Sequence, residues 1–263
     1  MTVIRPFISV VTVVKNGGKT IADAIQSIIS QNYIDFEYII IDGVSSDNTL
    51  QVISSYQHII SRFVSEPDNG IYDAMNKGID LAKGQVIGFL NADDVYENDD
   101  VLQNVADVMS DHAVDSCYGD LLYVKQDDIK AIVRYWRSSP VRQYKFYRGW
   151  IPPHPTFFVR KSVYEKYCGF RTDLGQAADY ELMLRLLLLQ GISSVYIPQV
   201  LVRMRTGGVT NASAYSNFEN HRSTVLAWKV NNVSPRIWTL PLRSCLKLYQ
   251  YIFPRYRLNL SKL

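Results

Sequence analysis

The sequence predicts an α/β fold, a mostly parallel central sheet with helices on both faces, extended at the C-terminus by an amphipathic helical segment. Three observations predict it. The first 110 residues repeat one theme, an apolar run followed by a helical pattern. A chain of 263 residues, 47% hydrophobic and 20% charged, can bury a full core. The last forty-odd residues change character, becoming basic with helical spacing.

The elements follow in order. Phe7 to Val14 reads as a buried strand, and Ile21, Ala24, Ile25, Ile28 and Ile29 as one face of a helix behind a Thr20 cap with Asp23 three residues on. Phe36 to Ile41 precedes the helical Leu50, Ile53 and Tyr56. Arg62 to Ser65 precedes Ile71, Met75, Ile79 and Ala82, with Gly84 as the stop. Gln85 to Leu90 precedes Val101, Leu102, Val105, Val108 and Met109. Four such units argue for a parallel sheet covered on both sides. From Cys117 to Trp136 the alternation stops, and two β-rich stretches surround Gln126-Asp127-Asp128 as a hairpin. Asp179 to Gln190 is a leucine-rich helix, Ile192 to Ile197 a further strand, and the stretch after Gly207-Gly208 is helical again. No repeat or low-complexity segment interrupts the chain.

Composition excludes several classes. Cys117, Cys168 and Cys245 stand far apart with no CxxC pair, so neither a disulfide framework nor a thiolate zinc site is expected, and a reducing, cytosolic setting is the default. The apolar start is broken by Ser9 and Thr12 and lacks a cleavage site, which makes it a strand and no signal peptide. No run of 18 apolar residues reads as a membrane span. The net charge of +3 hides an asymmetry. From Asn220 onward there are eight Lys/Arg (Arg222, Lys229, Arg236, Arg243, Lys247, Arg255, Arg257, Lys262) and no acid, which leaves 20 basic against 25 acidic residues in the body. Such a tail points to an anionic partner or to a merely solvated basic end.

In open parallel α/β sheets, ligands bind beyond the carboxyl ends of the strands. Those ends carry Lys15-Asn16, Asp42-Gly43, Glu66-Pro67-Asp68-Asn69-Gly70 and Asn91-Ala92-Asp93-Asp94. Right-handed crossovers bring all four to one edge, so Asp42, Asp68, Asp93 and Asp94 face one crevice. Adjacent loop acids suit Mg²⁺ or Mn²⁺ shared with substrate phosphates, or else cap the helix at Val101. Other motifs fail. Gly18-Lys19-Thr20 would need a glycine at Val13 to complete a P-loop, and no G-x-G-x-x-G follows any strand. Asp93 and Asp94 are too close in sequence to straddle a glycosidic bond, whose carboxyls sit ~5 Å or more apart, which disfavours a hydrolase. The four histidines lack metal spacing, and His154 between prolines suits a structural or a catalytic role equally.

The segments SVVTVVKN, FEYIIIDGVSSDNT, FVSEPDNGIYDAMNKGIDLAKGQVIGFLNADD, Gly169-Phe170 and AADYELMLRL at 177–186, in this order, closely resemble family 2 glycosyltransferases of the kind that builds bacterial capsule, O-antigen or exopolysaccharide. The resemblance covers roughly Phe7 to Gly208 and implies a GT-A, Rossmann-like fold. It implies a donor pocket drawn from Val14, Asn16, Asp42, Asp68, Asn76 and Asp93, with Asp42 on the nucleotide base. Asn91-Ala92-Asp93-Asp94 stands where the family has D-x-D-D, so Asp93 and Asp94 would hold Mn²⁺ or Mg²⁺, with a neutral Asn91 in the first position. Asp179 falls on the aspartate of the family's Glu-Asp pair, the general base, with Ala178 in place of the glutamate. Asp179 also suits a helix N-terminus by its charge, and Glu181 with Arg185 has the spacing of a simple helix pair. Trp150 and His154 lie in the variable stretch where such enzymes meet the acceptor; a core Trp is the competing reading.

The resemblance therefore implies an inverting glycosyltransferase that moves a sugar from a nucleotide diphosphate sugar, UDP first, to a glycan or polyprenyl-diphosphate-linked acceptor. A sugar-nucleotide pyrophosphorylase is the alternative, but it should carry a glycine- and basic-rich loop where this chain has only Lys15-Asn16-Gly17-Gly18-Lys19. A non-catalytic nucleotide-sugar-binding subunit is another, against which Asp179 stands. The expected organisation is a donor half (1–115), an acceptor and catalytic half of the same domain (116–213) and a basic extension (214–263). In the extension, Leu242, Cys245, Leu246, Tyr249, Ile252 and Phe253 share one helical face, and Arg243, Lys247 and Gln250 the other. The twelve residues between Pro241 and Pro254 make about 18 Å of helix, too short for a ~30 Å hydrocarbon core. The segment suits lying on an anionic membrane, or packing its apolar face on the body or a second subunit. The expected setting is the cytoplasm, with peripheral attachment to the inner face of the plasma membrane and homo-oligomerisation both open. Nucleic acid is not expected, because the body is acidic and no recognition motif is present.

Overall fold

In the computed structural model, residues 6–207 and 214–252 are described. Gly208, Phe253, Pro254, Arg255, Arg257 and Lys262 lie outside the described residues. The strand-helix units of the first half form as the spacing predicts: β1 (Ile8–Val14), α1 (Ile21–Ile29), β2 (Phe36–Asp42), α2 (Thr49–Ser54), β3 (Arg62–Ser65), α3 (Ile71–Leu81), β4 (Val86–Phe89), β5 (Val95–Tyr96) and α4 (Val101–Met109). β1 pairs in parallel with β2 and β4, and β2 with β3, so the four carboxyl ends share one edge. Alternation along the strands covers both faces of the sheet. Val11, Val13, Ile39, Ile41 and Phe89 join the core under α3, whereas Val10, Tyr38, Ile40 and Leu90 join the core under α1 and α4. The two hydroxyls that break the first apolar run are satisfied inside: Ser9 donates to Glu37 at 2.6 Å and Thr12 to the Leu90 carbonyl at 2.7 Å.

The second half adds β6 (Ser116–Val124), β7 (Ile132–Trp136), α5 (Gln143–Phe146), a 3₁₀ turn at His154–Thr156, β8 (Phe158–Arg160), α6 (Lys161–Tyr167), α7 (Ala178–Met183) running into a π-helical stretch at Leu184–Leu189, and β9 (Ser194–Arg205). The sheet order is β3-β2-β1-β4-β8-β6-β9-β5, with β7 paired to β6 as the expected hairpin. Here the pairing is mixed: β8 is antiparallel to β4 and β6, and β5 to β9, whereas β6 and β9 are parallel. β9 runs well beyond Ile197, where the sequence reading ended it. Pro198 is accommodated because Tyr118↔Tyr196 is followed by Asp120↔Val200, a bulge that exempts the proline from the ladder.

Two local expectations are corrected. Thr20 stands at the N-cap of α1, but its hydroxyl donates to the Gly17 carbonyl at 3.4 Å and makes no side-chain cap, and Asp23 pairs with Arg205 instead of closing a capping box. The C-terminal segment forms α8 (Ala214–Val230) and α9 (Thr239–Ile252). α9 starts two residues before Pro241, which sits in the first turn, where an N–H would lack a partner in any case. α9 also faces opposite to the reading that packs its apolar face on the body. Arg243, Lys247 and Gln250 turn towards the body, and Leu242, Cys245, Leu246 and Tyr249 are exposed. The reason lies in β7, where buried Arg134 offers its Nε to Gln250 Oε1 at 2.7 Å and selects the polar face.

Candidate active site

Each predicted residue on the strand-end loops can be followed to its place. Asp42 closes β2 and is fully buried. Its Oδ2 accepts from the Ser45 N–H (3.1 Å) and the Ser65 hydroxyl (2.6 Å), and its Oδ1 has no partner among the described residues. A buried carboxylate oxygen left free is costly, which marks it for a ligand donor. Gly43 follows. A Cβ there would fall 2.2 Å from Asp68 Oδ2, so only glycine lets the loop after β3 lie against the loop after β2. Asp68 itself accepts from the Gly70 N–H at 2.9 Å. Val14, opposite Asp42 in the ladder, accepts from the Gly43 N–H at 2.8 Å. Asn16, at a left-handed φ of 56°, accepts from the Ser46 N–H and donates its own N–H to Ser45, both at 2.8 Å. Val14, Asn16, Asp42 and Asp68 thus gather at one edge of the sheet.

Asn76 is placed differently. Its amide bonds the Phe170 backbone in both directions, at 2.8 and 2.9 Å, and fastens α3 to the Gly169-Phe170 turn. Both ends of the amide are thus engaged with protein.

Asn91 to Asp94 fill the turn between β4 and β5. Asp94 is fully buried, accepting from Asn91 Nδ2 and from the Arg205 N–H, each at 3.3 Å. Burial raises its pKa well above the usual carboxylate range, Asp93 adds to the rise, and Asn91 and Arg205 oppose it. Burial raises Asp93 too. Arg205 contributes only partial relief, because its guanidinium is committed to the Asp93 carbonyl (2.8 Å), the Gln126 carbonyl (3.1 Å) and the Asp23 carboxylate. No Lys or Arg side chain forms an ion pair with Asp93 or Asp94 among the described residues. The Asn91 Oδ1 is also buried without a partner. Two underpaired carboxylates and one free amide oxygen are hard oxygen donors, and they fit Mg²⁺ or Mn²⁺ in a shell completed by diphosphate oxygens and water. Among the described residues no group of three or more His, Cys, Asp or Glu side chains is placed to hold a metal ion.

Asp179 lies in the first turn of α7, where its carboxylate accepts from the Tyr180 N–H at 2.6 Å and from the Tyr72 hydroxyl. Its charge reaches the His154 ring and the Lys247 ammonium, and the Tyr123 hydroxyl senses Asp94 and Asp179 together. Glu181, two residues on, is buried in a two-pronged pair with Arg185 (2.8 and 3.1 Å), which also bonds the carbonyls of Tyr167, Cys168 and Gly169. His154 stacks on Phe89 (6.2 Å) and meets Phe170 edge-on (5.5 Å). Burial lowers its pKa against the pull of Asp179. Trp150 packs edge-on against Tyr118 and Phe146 and leaves its buried Nε1 without a partner.

A family model of glycosyl transferase family 2 matches residues 9–168. An uncharacterized glycosyltransferase of Mycobacterium tuberculosis is 32% identical over 206 residues, 78% of this chain and 77% of that protein. The chain belongs to glycosyl transferase family 2. Solved structures give the fold of this family 2 glycosyltransferase as GT-A. Staphylococcus aureus TarS 1–349 in complex with UDP-GlcNAc superposes with a TM-score of 0.65 at 16% identity, over 91% of this chain and 70% of that one. The mannosyltransferase PcManGT of Pyrobaculum calidifontis in complex with GDP-Man and Mn²⁺ gives 0.64 at 17% identity, over 93% and 74%.

Sequence reasoning missed Tyr72, Arg205 and the cationic group Arg134, Arg243 and Lys247 around the glycosyltransferase crevice. Tyr72 and Arg205 carry no local signal, being 107 and 111 residues from the acids they serve. Arg243 and Lys247 were visible as one helical face but were assigned to the outside.

Proposed function

We propose that the protein is an inverting, divalent-ion-assisted glycosyltransferase that moves a sugar from a nucleotide diphosphate sugar to a glycan or lipid-linked acceptor in surface-polysaccharide synthesis. The observation that supports it is the family 2 match together with the unpartnered Asp42 Oδ1 and the underpaired Asp93 and Asp94 at the carboxyl edge of the parallel strands. Asp42 accepts a hydrogen bond from the nucleotide base, and the Gly43–Asp68 contact closes the pocket around it. UDP and GDP sugars both suit a single acceptor oxygen, and the two structural neighbours bind UDP-GlcNAc and GDP-Man. Asp93 and Asp94 would hold Mn²⁺ or Mg²⁺, which supplies charge neutralisation for the departing diphosphate. Asp179 takes the proton from the acceptor hydroxyl as that oxygen attacks the anomeric carbon, and the diphosphate leaves from the opposite face without a general acid. The Tyr72 hydroxyl and the Tyr180 N–H hold the Asp179 carboxylate in place.

No helix among the described residues is long and apolar enough to cross a membrane. The exposed Leu242, Leu246, Leu248 and Tyr249 of α9 favour peripheral attachment to a bilayer surface, flanked by the exposed basic residues Arg222, Lys229 and Arg236.

The test is a panel of nucleotide sugars scored by thermal shift with Mn²⁺, Mg²⁺ or chelator, followed by release of nucleotide diphosphate from the best binder. A ligand at 100 times its Kd stabilises the fold by about 2.7 kcal/mol. The expected result is stabilisation by one nucleotide class, enhanced by the ion and lost in Asp42→Ala. Pyrophosphate-dependent nucleoside triphosphate formation, or full turnover in excess chelator, would overturn the reading.

A further inference from the structure

A cavity of about 460 Å³ opens between β7, the 138–151 segment and α9. Arg243, on its wall, stacks 4.7 Å over the ring of Tyr180, and Lys247 senses the Asp179 charge. The wall carries four cations, Arg134, Arg137, Arg243 and Lys247, and no Asp or Glu. None of the four forms an ion pair among the described residues. Asp120 stands behind the wall, bonded to the Tyr135 and Tyr196 hydroxyls and the Ser138 N–H.

Arg134 is only 4% exposed. Its guanidinium lies 4.4 Å from the Tyr123 ring centroid and bonds the neutral Gln250, so a buried charge is met by π-faces and an amide alone. Burying a cation without an anion is unfavourable unless a ligand completes the site. Two further polar atoms on the same wall, Ser138 Oγ and Trp150 Nε1, are buried and unpartnered. The wall is thus rich in donors without partners, next to the aromatic rings of Trp136 and Trp150.

We infer that this cavity binds the acceptor through a phosphate or diphosphate group, with Arg134, Arg243 and Lys247 on the anion and Trp136 and Trp150 beside the sugar or alcohol presented to Asp179. The inference rests on the glycosyltransferase reading and names its acceptor class. Burial pushes the Lys247 ammonium down to about 8, reinforced by Arg243 on its own helix and Arg134 on β7 and opposed by Asp179 on α7. Arg137 at the exposed end of the wall adds a permanent charge. An anion in the cavity relieves that repulsion, so the ammonium is an anchor near neutral pH and fades above it.

The experiment titrates the full chain calorimetrically, in chelator, with inorganic pyrophosphate, glucose 1-phosphate and geranyl diphosphate. Wild type should bind at least one probe, and Lys247→Met and Arg243→Gln should each weaken it by ~10-fold or more. The ratio of wild-type to Lys247→Met affinity should fall as pH rises from 7 to 9, a trend that a purely structural lysine would not produce. Tighter geranyl diphosphate assigns a lipid-linked source and tighter glucose 1-phosphate a soluble one. Equal affinities in wild type and both variants, or no binding of any probe, would overturn the proposal. Donor turnover is measured separately on wild type. If nucleotide diphosphate is released while anion affinity is equal in all three proteins, the transferase reading survives and the acceptor inference falls. If anion binding is lost in the variants but no donor binds, the anion site stands and the transferase reading falls.

Discussion

At the scale of single residues, two carboxylates two positions apart have opposite fates. Asp179 keeps its carboxylate at the crevice, bonded by the Tyr180 N–H and the Tyr72 hydroxyl. Glu181, 1% exposed, is locked to Arg185 and Asn231. Asp179→Asn should therefore lower kcat by ~10²–10⁴-fold, the usual contribution of a general base, with donor affinity unchanged. Glu181→Gln should instead destabilise the fold by about 3–5 kcal/mol, because it leaves the Arg185 guanidinium uncompensated among backbone carbonyls. Urea denaturation and steady-state kinetics on both variants separate the two; an inactive, fully stable Glu181→Gln would reassign the base. Asp42 follows the same logic. One oxygen is committed to Ser45 and Ser65, and the other is held free by burial.

Among elements, the strand the sequence shortened proves decisive. β9 passes the Pro198 bulge and delivers Arg205 to the Asn91–Asp94 turn, where it ties that turn to α1 through Asp23 and to the β6–β7 loop through Gln126. Arg205→Leu should leave the Asp93 and Gln126 carbonyls without their donors and lower stability by about 1–3 kcal/mol. It should also weaken Mn²⁺-dependent donor binding, because the turn that presents Asp93 and Asp94 loses its brace. Thermal shift with and without Mn²⁺ reads both effects, and unchanged values in both would remove the brace role. Register explains why this was hidden. β5 and β8 are two and three residues long; Val95-Tyr96 and Phe158-Val159 favour strand, but runs this short carry no readable period, and pairing with β9, β4 and β6 is what makes them strands.

For the molecule as a whole, α9 presents two faces. Arg243, Lys247 and Gln250, with Leu246 and Tyr249 at the edge, line the cationic cavity, and Leu248, 63% exposed, looks outward. A phosphate-bearing lipid acceptor would reach the cavity from a surface on which that outer face rests. Leu242→Asp/Leu248→Asp should abolish flotation with anionic liposomes at low salt and leave thermal stability unchanged, since both side chains are exposed. Flotation equal to wild type, or none by wild type, would remove the membrane attachment and leave α9 as a cavity wall only.

By itself the sequence determined the strand-helix order of residues 7–110 and the sheet edge at which the loops carrying Asp42, Asp68, Asp93 and Asp94 gather. These are local quantities: side-chain period sets the element, and in a parallel sheet every loop after a strand falls at the same end. Tertiary structure alone decided how those residues are partnered. Asn76 could be placed on α3 from its spacing, but not against Phe170, 94 residues away. The amphipathic pattern of α9 gave two faces without saying which one turns inward. A basic stripe normally seeks water, and the inward turn became favourable only because β6 and β7 offer Tyr123, Trp136 and the Arg134–Gln250 bond under it, contacts that periodicity along one segment does not encode.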